Sequence, residues 1–79
     1  MGIKVKLKKP VTDLGTELTE LEFRDPVFGD ILAAGTGNEM EIAAVLIERC
    51  ANIAAPTVKQ MAIKDVYAVM AKLKPFLDF

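Results

Sequence analysis

The sequence predicts an α+β fold: an N-terminal β-hairpin followed by a small bundle of three helices, or four if one short turn near Pro56 closes. Three observations carry this. Ile3-Lys4-Val5-Lys6-Leu7-Lys8 alternates strictly between apolar and basic residues, the period of a half-buried strand. Glu20-Leu21-Glu22-Phe23 alternates in the same way with the opposite charge. Glu39–Ile53 and Ile63–Leu77 instead place their apolar residues at helical spacing. All 79 residues read as one domain, with the hairpin at about 3–24 and the helical part at about 26–78.

In the hairpin, Ile3, Val5, Leu7, Leu21 and Phe23 are expected to point inward, with Thr19 continuing that face. Lys4, Lys6 and Lys8 then face Glu20 and Glu22 on the outside. Each exposed charge pair is worth at most about 1 kcal/mol, so such pairs set register more than stability. Pro10, Asp13 and Gly15 read as turn residues between the strands. A two-stranded hairpin is not stable alone, so it must lie on the helices.

Asp25-Pro26 reads as a helix start, with Asp25 capping free amides and Pro26 at the first helical position. This helix runs to Ala34, and Gly35-Thr36-Gly37 stops it. Asn38 then caps the next helix, with Glu41 three residues on, a variant of the capping box. That helix fades near Asn52–Ala55, and Pro56 opens a short turn over Thr57–Met61. The last helix spans Ile63–Leu77 with a stripe of Ile63, Val66, Met70, Leu73 and Leu77, flanked by Tyr67, Val69 and Phe76. Pro75 is expected to kink or end it.

The middle helix is the most telling element. Wound at about 100° per residue, it confines Glu41, Glu48, Arg49 and Asn52 to roughly a third of its circumference. Ile42, Ala43, Ala44, Leu46, Ile47, Cys50 and Ala51 cover most of the rest. Two adjoining apolar faces mean either a central core helix or one shared with another chain. The tail Pro75–Phe79 is likewise too apolar for a free, solvated end, and it either docks on the molecule's own core or serves as a handle for another protein. The expected protein-interface residues are therefore Ile42, Leu46, Ile47, Cys50, Phe76 and Phe79.

Composition narrows the function. A chain this short is only just able to support one core. One cysteine excludes an intramolecular disulfide, and without histidine no structural zinc is expected. Oligomerisation or an efficient helical core remains, and 52% hydrophobic content suits either. A net charge of −1 does not suit a domain held on nucleic acid by bulk charge. There is no signal-peptide pattern at the N-terminus, and the longest apolar run, Ile42–Ile47, is far too short to span a membrane. The expected location is a cytoplasm, where a free Cys50 on the apolar side of its helix has a packing role.

No catalytic set is legible, and the chain reads as a non-enzyme. Without histidine, Cys50 and Tyr67 have no basic partner in sight. Asp25 reads as a cap and Asp30 as a solvated residue. Gly35-Thr36-Gly37-Asn38 precedes a helix as a phosphate cradle does, but no lysine follows it and it joins two helices, so a helix break is the plainer reading. Lys4, Lys6, Lys8 and Lys9 form a basic stripe with no interleaved aromatic residue, which reads as a solvated strand face. No cofactor, metal or nucleic-acid partner is expected.

The order of motifs along the whole chain carries a resemblance. Lys8-Lys9-Pro10-Val11 ends a lysine-rich strand, a short turn leads to Thr19-Glu-Leu-Glu-Phe-Arg-Asp-Pro26, and Phe28-Gly-Asp-Ile-Leu32 follows. Then come an apolar helix and a final helix with Asp65 near its start and Phe76-Leu77 near its end. From about Ile3 to Leu77 this resembles the small tail assembly chaperones of long-tailed phages, in the Mu-like group and its prophage relatives. Each motif is short and degenerate; their order and spacing are what match. The resemblance implies a helper in the host bacterial cytoplasm that binds the helical, aggregation-prone tape measure protein, helps the tail tube protein assemble around it, and is absent from the finished tail. It implies no catalytic or cofactor residues. Many such proteins are made in two lengths by frameshifting, and a stop just after the last helix is what the shorter product has. A homo-oligomer is the expected state, since coating a long rod takes many copies, and Met40, Met61 and Met70 supply adaptable contacts. The rival readings are a small structural tail or connector protein, and a regulatory domain touching nucleic acid through the lysine strand.

Overall fold

The computed structural model describes residues 3–77. It has the expected α+β order: strands β1 (Ile3–Asp13) and β2 (Thr16–Phe23), then helices α1 (Phe28–Ala34), α2 (Glu39–Cys50), α3 (Ala55–Lys59) and α4 (Ile63–Leu77). The strands form one antiparallel pair. Its register sets Ile3 against Phe23, Lys4 against Glu22, Val5 against Leu21 and Lys6 against Glu20. Apolar residues thus meet apolar residues on one face, and opposite charges meet on the other. Lys4 and Glu22 approach to 3.7 Å, both well exposed.

The hairpin is longer than the alternating segments alone suggest. Pro10 is not a turn residue: β1 runs through it to Asp13. The register shifts between Lys6 and Val11, so that Leu7, Lys8, Lys9 and Pro10 stand opposite Thr19 alone. This bulge absorbs the proline, which has no amide to give to a ladder. It also turns Thr19 outward, against expectation. The amides of Lys8 and Lys9 instead donate to the buried carboxylate of Asp65 on α4, at 2.8 and 3.1 Å. The chain reverses at Leu14-Gly15, both with positive φ (50° and 85°), the twist that a two-residue hairpin loop requires.

Asp25 does not cap α1. The helix starts later, at Phe28, with Val27 in the capping position. Asp30, not Asp25, supplies the acceptor: its carboxylate takes the Val27 amide at 2.9 Å. Gly35, at φ 71°, ends the helix, and its amide bonds to the Ile31 carbonyl. Asn38 caps α2 as expected, accepting from the Glu41 amide while its side-chain amide donates to the Glu41 carboxylate. Asn52, at φ 55°, follows the end of α2. Pro56 opens α3 near its first position. α4 continues two residues past Pro75.

The hairpin lies across the helices. Val5, Leu7, Val11, Leu21 and Phe23 enclose one core with Leu46, Ile47, Cys50, Ile53, Val58, Met61, Val69 and Leu73. Burying each large apolar side chain contributes about 1.5–3 kcal/mol. α2 is the central helix, contacting α1, α3, α4 and β2. The stripe of α4 is rotated from the expected one: Val69 and Leu73 are fully covered, Val66 and Met70 half-covered, and Ile63 is exposed. The rotation follows from Asp65, whose buried carboxylate turns toward the bulge and carries that side of the helix inward.

Candidate functional site

The central position of α2 decides which of its residues can meet a partner. Ile47 and Cys50 lie inside the chain's own core and offer no surface. Of the two readings of the apolar helix, the core helix describes this side. The opposite side is incompletely covered. There a cleft of about 400 Å³ lies between α2 and α4, lined by Glu39, Ile42, Ala43, Leu46, Met70, Ala71, Leu73 and Lys74. Leu46 and Leu73 form its floor, fully buried by their own chain. Ile42 and Met70, half-buried, form its walls, and Glu39 and Lys74 stand at its rim. Of the expected interface residues the cleft therefore contains Ile42 and Leu46. Phe76 is exposed on the same helix as Met70 but does not line the cleft, and Phe79 lies outside the described residues. Met61 is a core residue rather than an adaptable surface contact. Met40 remains exposed beside the α2 end of the cleft.

A groove between two helices, apolar inside and charged at its rim, is the usual receptor for the apolar stripe of a third helix. On the α4 half of this groove the sequence points to Met70 as an adaptable contact, but Leu73 reads as core and Ala71 carries no signal, because a helical stripe reads first as core. Spacing alone does not reveal that a cleft stays open between α2 and α4.

A second apolar surface lies on α1. Val27, Phe28 and Leu32 are 60%, 74% and 65% exposed. Phe28 and Leu32 are one helical turn apart and form a ridge. Its inner side is fastened by a charged clasp. Asp30, fully buried, accepts from both terminal nitrogens of Arg24 at 2.6 and 2.8 Å and from Nε of Arg49 at 2.8 Å. The Arg24 amide bonds to the Cys50 carbonyl at 3.1 Å, tying the end of β2 to the end of α2. These donors hold the Asp30 carboxyl far below the usual carboxylate range, Arg24 first, then the Val27 amide and Arg49. The same hydrogen bond raises the Arg24 guanidinium. Burial pushes the Cys50 thiol up, with the Asp30 charge adding to it, so this cysteine stays protonated and inert.

The expectation of a solvated Asp30 is thus overturned. Its partners are Arg24 and the Val27 amide, both in the connection just before α1, and Arg49 near the end of α2. The open cleft beside the clasp carries Glu22 and Asp25 as well as Arg24 and Arg49. With Asp30 that makes three carboxylates to two guanidiniums, so the cleft has no surplus positive charge to attract an anion. Among the described residues there is no group of three or more side chains able to hold a metal ion.

A small hairpin-and-helix body that keeps an apolar interhelical groove open to solvent has the build of a protein-binding module. The chain belongs to the family described as "Phage tail assembly chaperone proteins, E, or 41 or 14", which it matches over residues 4–78, and the resemblance carried by the motif order holds across the molecule. No curated protein and no solved structure matches it.

Proposed function

We infer that this tail assembly chaperone works by seating a helical segment of the tape measure protein in the α2–α4 groove, shielding that segment's apolar stripe until tail tube subunits assemble around it. The observation that carries this is the groove itself: Ile42, Met70 and Ala71 present apolar surface between two helices over a floor of Leu46 and Leu73, and Met70 adapts to varied side chains. Family membership supports a partner among tail proteins. The role is one of binding rather than catalysis. The site of action is the host bacterial cytoplasm, and no helix among the described residues is long and apolar enough to cross a membrane. Several copies act on one client, and the chaperone is homo-oligomeric.

Coexpression with the tape measure protein of the same phage tests this. The wild-type chain keeps the client in the soluble fraction. The groove variant Ile42→Glu with Met70→Glu, checked by circular dichroism to be folded, lets it precipitate. A client that stays equally soluble with the variant overturns the groove as its site. Mass spectrometry of purified virions separates the structural-protein alternative, because a chaperone is missing from the finished particle.

A further inference from the structure

α1 is unlike the other helices of this chain. Its exposed residues, Phe28, Gly29, Leu32 and Ala33, carry no charge, and its one charged residue, Asp30, is fully buried beneath it. α2, α3 and α4 all expose charged side chains, among them Glu48 on α2, Lys59 on α3 and Lys72 on α4. Among the elements, α1 contacts only α2, and α4 does not touch it. The ridge and the groove are therefore separate surfaces of one molecule, one convex and one concave, both apolar.

We propose that the α2–α4 groove is filled, in the absence of client, by the Phe28–Leu32 ridge of α1 from a second copy of this chain. The inference rests on the groove reading above and adds what occupies the site at rest. A charge-free ridge enters an apolar groove without desolvating an ion, which most other exposed segments of the chain cannot do. The Arg24–Asp30–Arg49 clasp pins the inner side of α1, so the ridge is presented without further ordering. The cleft of about 400 Å³ is at the small end of the pocket range, and two large side chains from a short helix are enough to occupy it. A net charge of −1 puts little repulsion in the way of two copies. Because ridge and groove are different patches, the contact is head-to-tail and leaves a free ridge at one end and a free groove at the other. One short helix buries far less than the roughly 800 Å² per partner of a stable interface, so the contact is weak and a longer client helix displaces it.

Variants with one added, exposed cysteine test the geometry, the native Cys50 being buried. Leu32→Cys marks the ridge and Ala71→Cys the groove wall. Under mild oxidation, mixing the two gives a disulfide-linked dimer several-fold more abundant than either variant gives alone. Equal cross-linking by Leu32→Cys alone, as in a symmetric ridge-to-ridge pair, overturns the proposal, and so does an absence of cross-links in the mixture. The variant Phe28→Glu with Leu32→Glu supplies the second measurement, since both sites are exposed and tolerate charge. It sediments as a monomer at concentrations where the wild type associates, while coexpressed tape measure protein stays soluble. Unchanged association overturns the head-to-tail contact and leaves the client site standing. Loss of client solubility places the client on α1 and overturns the ridge as a resting plug.

Discussion

Asp30 concentrates more interactions than any other side chain described here. Two guanidiniums and one amide end on its carboxylate, with the Cys50 thiol 3.9 Å away. Replacing it with Asn keeps the size, removes the charge and leaves Arg24 and Arg49 to share a weaker acceptor. Asp30→Asn is therefore expected to lower the urea midpoint at pH 7, whereas Asp25→Asn, at an exposed position, leaves it unchanged. The sign of the pH dependence follows from a folded carboxyl held below its ordinary value of 3.8. Its stabilisation is complete above that value and drains away as the pH falls beneath it. Wild type therefore loses more stability between pH 6 and pH 3 than Asp30→Asn does, and urea titrations at the two pH values measure the difference. Leu46 is the apolar counterpart: fully buried on the central helix, it is expected to cost about 2–5 kcal/mol on truncation to Ala, read from the same titrations. Helical periodicity put it on the apolar side of α2 without saying whether its own chain or a partner covers it. The burial of Asp30 was not legible, because Arg49 lies on another helix and meets it only in the fold, and no helical or strand spacing pairs Arg24 with Asp30.

At the scale of elements, the hairpin register was legible because opposite charges and matched apolar residues leave one sensible alignment of Ile3–Lys6 with Glu20–Phe23. The bulge was not, since Pro10 reads equally as turn or as irregular strand. What holds the bulge is Asp65, in the first turn of α4. Asp65→Ala strands the Lys8 and Lys9 amides, each partly buried, and is expected to cost about 1–3 kcal/mol. Hydrogen exchange at those two amides checks it: both are expected to exchange markedly faster in the variant, while amides in the Leu18–Leu21 stretch change less. The helices divide in the same way. α2 kept its predicted cap because Asn38 and Glu41 are close in sequence. α1 lost its predicted cap because Asp30, one turn further on, serves Val27 from within the helix.

For the whole molecule, α2 supplies the organising axis. One of its sides completes the core, another bears α1, and its N-terminal half forms one wall of the groove. That arrangement reconciles the two readings of its wide apolar surface. The chain hides Ile47 and Cys50 and leaves Ile42 half-open. The client-solubility and cross-linking outcomes given above test the molecule at this scale, because each needs two surfaces of one copy to act separately. The Asp65 clasp also bears on synthesis. Lys8 and Lys9 are joined to a residue more than fifty positions later, so the start of the chain leaves the ribosome long before its anchor exists. Until α4 emerges, the Lys8 and Lys9 amides lack their acceptor and the apolar face of β1 lacks one of the two helices that pack on it, so these contacts of long sequence separation are expected to close late. The molecule is thus expected to spend its own first moments with part of a greasy surface unguarded.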